Sequence, residues 1–161
     1  MKIRKTMLQD LPEIMQIYAQ ARVFMAQTGN PHQWPEGYPG EELIREDIGR
    51  GISYVAEVDG EIETVFLYFE GDDPMYQRIE DGVWKNEAAY GVIHRIASRG
   101  RVKGAGSFCL QWGFARCGNL RMDTHDDNRV MQHVLEKNGF ERCGRVYTET
   151  GSPRIAYQKV R

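Results

Sequence analysis

The chain has 161 residues, of which 41% are hydrophobic and 11% aromatic, and its formal net charge is −2. This length and apolar content suffice for the core of a single domain over residues 1–161. The lack of a basic excess argues against a nucleic acid as partner. No apolar run approaches the ~18 residues that a membrane span needs, and no apolar segment follows the basic N-terminus. The sequence therefore predicts a cytoplasmic protein with neither a membrane partner nor a signal peptide.

The three cysteines are Cys109, Cys117 and Cys143. Their odd number and their spacing predict reduced thiols and no metal site. An alternative remains for Cys109, which lies in the first turns of a predicted helix after a glycine-rich loop. Such a position can activate a thiol as a nucleophile, although no partner base lies nearby in the sequence.

The N-terminal third begins with an alternating pattern that predicts a strand at residues 2–7. A helix with apolar residues at helical spacing follows and reaches about Gln27. Asp10 precedes a proline in the first turn, and Glu13 lies three residues further on. We therefore predict that Asp10 and Glu13 form a reciprocal cap at the start of this helix.

Residues 29–39 contain three prolines and two glycines, which exclude regular secondary structure. The same segment carries Trp34 and Tyr38. Aromatic side chains in such a loop either pack it onto the core or form a wall that contacts a substrate.

The order of the remaining elements predicts an α/β (α+β) protein with a largely antiparallel sheet and one local parallel pair. Trp84 is the predicted anchor of an irregular excursion at residues 71–87, and Asp59-Gly60 predicts a hairpin. The predicted elements after the loop are helix 41–50, strands 52–58, 61–70 and 90–97, helix 107–116, strand 120–124, helix 128–138, and strands 140–149 and 154–160.

Residues 101–106 read Arg-Val-Lys-Gly-Ala-Gly and connect a predicted strand to a predicted helix. Backbone with so little side-chain cover at a helix start presents unpaired N–H groups to an anion, most often a phosphate. The P-loop pattern is excluded because Lys103 precedes its glycine, and the dinucleotide pattern is excluded because Cys109 stands where it requires the third glycine. The acetyl-CoA pattern Arg-x-x-Gly-x-Gly matches fully, while a simple tight turn remains the alternative.

Residues 128–140 begin with Asn128 and end in Glu-Lys-Asn-Gly-Phe before a strand. This segment resembles the fourth helix of the GCN5-related N-acetyltransferases, the GNAT family. Together with the glycine loop and the order of strands, the resemblance covers nearly the whole chain. It implies a mixed, mostly antiparallel sheet of about seven strands, splayed between the fourth and fifth strands and flanked by about four helices.

The resemblance implies acetyl-CoA as the donor. The fourth strand would pair with its pantetheine arm, the loop amides would hold its pyrophosphate, and Asn128 would hydrogen-bond the arm or, alternatively, only cap its own helix. The implied cofactor residues are Ile96, Ala97, Ser98, Arg101, Val102, Lys103, Gly104, Ala105, Gly106 and Asn128. Two departures stand out: Ser98 replaces the usual apolar residue in a shortened link, and Leu135 replaces the tyrosine that protonates the leaving thiolate in many members.

The predicted activity is transfer of an acetyl group to a primary amine of a small molecule or peptide by direct attack. The amine needs a base, and His94 on the cofactor strand is the first candidate. The alternative is that the His94 ring only makes structural hydrogen bonds within the sheet. His125 and Glu70 are weaker candidates. The predicted acceptor wall is formed by Trp34 and Tyr38, with Tyr90 and Tyr147 behind them.

Two other classes of function remain open. The absence of a tyrosine at Leu135 favours a non-catalytic acyl-CoA-binding or sensor module with the same fold. The second of these classes is a small interaction protein with an antiparallel sheet, in which the glycine loop is only a turn. The edge of the final hairpin, if exposed, can pair with a second copy of the chain and make a homodimer.

Overall fold

A seven-stranded sheet in the order β1-β2-β3-β4-β5-β7-β6 forms the centre of the molecule, in a computed structural model that describes residues 1–161. The strands are β1 (Lys2–Lys5), β2 (Ser53–Val58), β3 (Glu61–Glu70), β4 (Gly91–Ser98), β5 (Asn119–Thr124), β6 (Glu141–Tyr147) and β7 (Pro153–Val160). The helices are α1 (Leu11–Gln27), α2 (Glu41–Gly49), α3 (Ala105–Cys117) and α4 (Arg129–Lys137). The predicted order of elements and the mixed fold are confirmed.

The sheet splays open between β4 and β5. These two strands run parallel but pair only at Gly91 with Leu120 and Val92 with Arg121. Beyond this point β5 continues in register with β7 as far as Thr124, while β4 continues along β3. The separation confirms the predicted splay and leaves one edge of β4 without a neighbouring strand.

A bulge bends β4 where it leaves β5. Phe66 of β3 faces two residues of β4, Arg95 and Ile96, and Arg95 has a φ of +47°, which non-glycine residues rarely adopt. Two side chains from other elements hold this conformation. The Tyr18 hydroxyl donates to the Arg95 carbonyl at 2.9 Å, and the Arg95 guanidinium pairs with the buried carboxylate of Asp47.

Three apolar clusters cover the sheet. One lies beneath α3 and α4 and is built around Phe66, Leu110 and Leu135. A second lies beneath α1 and α2 on the opposite face. The third lies beneath the irregular segment 71–90 and includes Tyr76 and Tyr90. Because α1, α2 and this segment share one face, the open splay is bordered by loops on that side.

The cap predicted for α1 is wrong. A 3-10 turn, Leu8–Asp10, precedes the helix, so Asp10 already has helical dihedral angles and cannot cap it. Its carboxylate instead accepts from the Met7 amide at 2.7 Å and pairs with Arg4 at 2.8 Å. Glu13 takes no part in this arrangement.

The excursion between β3 and β4 is anchored by Trp84, as predicted. The Trp84 indole donates to the Tyr76 carbonyl at 3.0 Å, and the Arg121 guanidinium lies 4.2 Å above its ring. The same excursion covers part of the β6 edge, because Glu80 and Arg145 exchange backbone hydrogen bonds of 2.8 and 2.7 Å. The edge on which the dimer prediction rested is thus occupied at its centre. None of the helices is long and apolar enough to cross a bilayer.

Candidate active site

A cleft of about 740 Å³ opens where β4 and β5 separate. Its floor is formed by residues of both strands, including His94, Ile96 and Asp123. Its walls come from the loop after α1, the start of α4 and the turn between β6 and β7. The cleft therefore combines chain segments that are far apart in the sequence.

His94 lies in this cleft between two carboxylates. Its Nε2 is 2.6 Å from Asp73 Oδ2, and its Nδ1 is 3.7 Å from Asp123 Oδ1. Asp123 also accepts a hydrogen bond from the Tyr76 hydroxyl. Burial and then the charge of Asp123 raise the pKa of Tyr76 well above its ordinary value, so the phenol keeps its proton and remains the donor.

The protonation of Asp73 fixes which nitrogen of His94 carries a hydrogen. Burial alone would raise the pKa of Asp73, but the hydrogen bond and charge of His94 and the Met75 amide together lower it. An ionised carboxylate only accepts, so the Nε2 of His94 must donate to it. In the neutral imidazole the lone pair is then on Nδ1, on the side of Asp123. This arrangement suits a general base.

The weaker base candidates lie outside the cleft. His125 Nδ1 accepts from the Asp127 amide at 3.0 Å, and burial and the charge of Arg154 lower the pKa of His125. Glu70 accepts from the Tyr68 hydroxyl at 3.0 Å. Neither residue lines the cleft, so neither is placed to act as the base there.

Trp34 and Tyr38 line the cleft together, at the positions that the sequence predicts for an acceptor wall. The Trp34 ring packs edge-on against Tyr18 at 5.7 Å and against Tyr38 at 6.0 Å. The Tyr38 hydroxyl accepts from Arg95 at 3.2 Å. The loop is therefore packed onto the core, as one alternative predicts, and it also presents its aromatic residues to the cleft. Contact with a substrate stays a prediction.

Tyr90 and Tyr147 do not reach the cleft, and their predicted place behind the wall is corrected. Tyr90 is buried under the excursion, where its hydroxyl accepts from the Asp73 amide at 3.0 Å. Tyr147 lies at the end of β6 and is 38% exposed. Alternation along a strand predicts a face, but it does not predict which loop covers that face.

Along β4, the three residues predicted to pair with the pantetheine arm differ in environment. Ile96 lines the cleft, whereas Ala97 is buried against the α1 side of the sheet. The Ser98 hydroxyl is 2.7 Å from that of Thr64, so the polar residue in the shortened link has a partner on β3. The pairing with a pantetheine arm stays a prediction.

The glycine loop is held from below by Glu63 of β3, a residue that the sequence interpretation missed. One carboxylate oxygen of Glu63 accepts from the amides of Gly100, Arg101 and Val102 at 3.1, 3.1 and 3.2 Å. The amides of Arg101 and Val102 are therefore occupied, which corrects their predicted role as phosphate donors. A charged residue in the apolar run of β3 is the signal that could have revealed Glu63.

The second half of the loop retains donors for an anion. Gly104 has a φ of +82° and begins α3, and the Ala105 amide bonds the Val102 carbonyl at 3.4 Å. The structure provides no acceptor for the amides of Lys103, Gly104, Gly106 and Ser107. The Lys103 side chain is exposed and forms no salt bridge, whereas Arg101 pairs with Glu61 at 2.8 Å. A phosphate fits this half of the loop.

Asn128 caps its own helix and also borders the cleft. Its Oδ1 accepts from the Met131 amide at 3.0 Å, and its Nδ2 donates to Gln33 at 2.9 Å. The cap that the sequence left as an alternative is therefore present. Leu135 is fully buried in the cluster beneath α4 and does not line the cleft.

Cys109 is fully buried in α3, and burial raises the pKa of its thiol to about 12. A thiol with such a pKa is not a nucleophile near neutral pH. All three cysteines are free, in agreement with the predicted reduced thiols.

The variant Cys109→Ala is expected to keep kcat for acetyl transfer within about twofold of the parent protein, because this thiol contacts only the core. A steady-state thiol-release assay measures this. A fall in kcat of more than about a hundredfold in a folded Cys109→Ala variant would restore the hypothesis that Cys109 is a nucleophile.

The comparisons with known proteins identify the class. No family model and no curated protein sequence matches the chain. The structure of a GNAT-family acetyltransferase from Streptococcus agalactiae 2603 is 33% identical, with 99% of this chain and 95% of that chain covered and a TM-score of 0.89. The chain therefore belongs to the GNAT family of acetyltransferases.

More distant structures share the fold alone. A ribosomal-protein-alanine N-acetyltransferase from Brucella melitensis is 18% identical, with both chains fully covered (100%) and a TM-score of 0.62. A chain of the NatC complex, solved with Gag peptide and CoA, is 11% identical, with 99% of this chain and 98% of that chain covered and a TM-score of 0.63.

Proposed function

We propose that the protein transfers an acetyl group from acetyl-CoA to a primary amine of a small molecule or peptide. The observation that carries this proposal is the cleft at the splayed strands. It places His94 with two carboxylates beside the free edge of β4, and the glycine loop follows β4 directly. A base and an anion site are thus held on one continuous segment of backbone.

Different residues of the chain would bind the cofactor and transfer the proton. The free amides of Lys103, Gly104, Gly106 and Ser107, with the Lys103 ammonium, would hold the pyrophosphate. The exposed edge of β4 would receive the pantetheine arm. Acetyl-CoA supplies the acetyl thioester. Asp123 orients the incoming ammonium, and His94 Nδ1 takes its proton. A thiolate with a pKa of ~8.5 leaves readily near neutral pH, so the buried Leu135 is compatible with turnover.

Two measurements test the proposal. Titration calorimetry with acetyl-CoA is expected to show one site, and a thiol-release assay over a panel of amines is expected to reveal an acceptor. Absence of acetyl-CoA binding contradicts the proposal outright. Binding without transfer to any amine favours the non-catalytic acyl-CoA module, for which the missing tyrosine at Leu135 is the supporting observation.

Trp34→Ala is expected to raise KM for the acceptor by about tenfold and KM for acetyl-CoA by less than about threefold. The reason is that Trp34 lies in the loop wall of the cleft, away from the glycine loop. Steady-state kinetics with each substrate varied in turn measures both constants. A larger effect on acetyl-CoA than on the acceptor would contradict the assignment of this wall.

A further inference from the structure

Arg154 is a buried cation of the cleft without a directly bound counter-ion. Burial lowers its pKa, and the more distant charges of Asp123 and Asp126 offset this only in part. Arg154 is only 6% exposed, lines the cleft and forms no salt bridge. The other guanidinium of the cleft, that of Arg95, pairs with Asp47. Burial of an unpaired charge is costly, so an uncompensated guanidinium at a cleft surface indicates a place for an anion.

The hydrogen bonds of Arg154 leave part of its guanidinium free. Its Nη1 donates to Ser152 Oγ and to the Pro153 carbonyl, and its Nη2 donates to the Gln33 carbonyl at 2.9 Å. These neutral acceptors use three of the five N–H groups. The Nε hydrogen and one Nη2 hydrogen have no acceptor in the protein, so the guanidinium keeps donors for a carboxylate.

The free guanidinium lies close to the proposed base. Asp123 of β5 pairs with Ala156 of β7, and Arg154 lies two residues from Ala156 on the same face of the strand. Such diagonal neighbours are separated by about 7–8 Å between their Cα atoms. A short molecule can therefore place an amine at His94 and Asp123 and an anionic group at Arg154.

We propose that the acceptor is a small amine that carries a carboxylate, which Arg154 binds while the amine faces His94. This inference rests on the proposed function, since it names the acceptor class of the same cleft. One unpaired guanidinium matches one negative charge. A doubly charged phosphate would lie beside the carboxylate of Asp123 with a single counter-charge.

The test compares the common α-amino acids with their carboxamides as acceptors in the thiol-release assay. The parent protein is expected to prefer at least one acid over its amide by about tenfold or more in kcat/KM, because the amide lacks the charge-assisted hydrogen bonds. In Arg154→Gln this ratio is expected to fall to about one. Arg154→Lys keeps the charge without the planar fork and is expected to give an intermediate ratio.

Arg145→Gln is the matched control. Arg145 lies on the neighbouring strand β6, pairs with Asp126 at 3.1 Å and does not line the cleft, so its removal is expected to leave the ratio unchanged. Thermal unfolding of every variant separates loss of recognition from loss of the fold. If Arg154→Gln does not fold, the comparison is made with Arg154→Lys.

Absence of a preference for any acid, or a preference that Arg154→Gln retains in full, overturns the inference. Binding of the same acids and amides is also measured by calorimetry, so the comparison does not depend on turnover. If no acetyl transfer occurs but the parent binds acids in preference to amides and Arg154→Gln does not, the proposed function fails and the inference about Arg154 stands.

Discussion

His94→Ala is expected to lower kcat/KM for acetyl transfer by about 10²–10⁴-fold, the range that a positioned general base contributes. His94 lies on the floor of the cleft with one ring nitrogen beside the carboxylate of Asp73 and the other beside that of Asp123. Its removal leaves the amine to be deprotonated by water. The affinity for acetyl-CoA is expected to change little, because the glycine loop proposed to bind the pyrophosphate does not include His94.

The pH–rate profile separates a catalytic role from a structural one. In a folded His94→Ala variant the pH dependence of kcat/KM is expected to differ from that of the parent protein. The control is His133→Ala, which removes an exposed imidazole of α4. Unchanged kinetics and an unchanged profile in a folded His94→Ala protein would remove His94 from the mechanism.

Asp73→Asn tests the protonation of His94 without removing it. An asparagine can donate to Nε2, which would move the imidazole hydrogen to Nδ1 and take away the lone pair that faces the amine. The loss in kcat is therefore expected to approach that of His94→Ala. A variant with kcat close to the parent value would show that Asp73 does not set the tautomer.

Glu63→Ala is expected to raise the Kd for acetyl-CoA by about tenfold and to destabilise the fold by about 2 kcal/mol. The Glu63 carboxylate is buried and accepts from three successive loop amides, so its loss leaves the first half of the loop without a partner. The second half, which offers the free amides, depends on that geometry. For a protein of this size the destabilisation corresponds to a fall in Tm of about 5 °C.

Calorimetric titration with acetyl-CoA and thermal unfolding measure the two effects together. Glu63→Gln keeps one oxygen as acceptor and is expected to fall between Glu63→Ala and the parent. Glu61→Gln is the control, because Glu61 lies two residues away on the same strand and forms only an exposed pair with Arg101. Tighter acetyl-CoA binding in Glu63→Ala would mean that the carboxylate opposes the pyrophosphate rather than supporting the loop.

The features that the sequence predicted correctly depend on local chemistry. The tight turn at Gly104 and the cap of α4 by Asn128, both of which the sequence left as alternatives, are present. The local parallel pair followed from the strand-helix-strand crossover, and the splay followed from the family resemblance. Such patterns span a few residues, so the sequence displays them directly.

The pairings that define the site were not predictable in this way. Asp73 and His94 are 21 residues apart, and Glu63 reaches amides 37 to 39 residues away. Arg154 bonds a carbonyl 121 residues away. Each contact depends on the register of the sheet and on how an irregular segment folds over it, and neither leaves a periodic signal in the chain.

The sequence by itself thus determined the fold class and the place of the glycine loop, because backbone freedom, caps and alternation act between near neighbours; His94 as the base stays a prediction. Tertiary structure alone decided which amides of the loop remain free, which nitrogen of His94 carries the lone pair and which tyrosines reach the cleft. Those outcomes depend on buried charges that meet across the sheet. The energy of such a charge is set by partners that only the folded chain brings together.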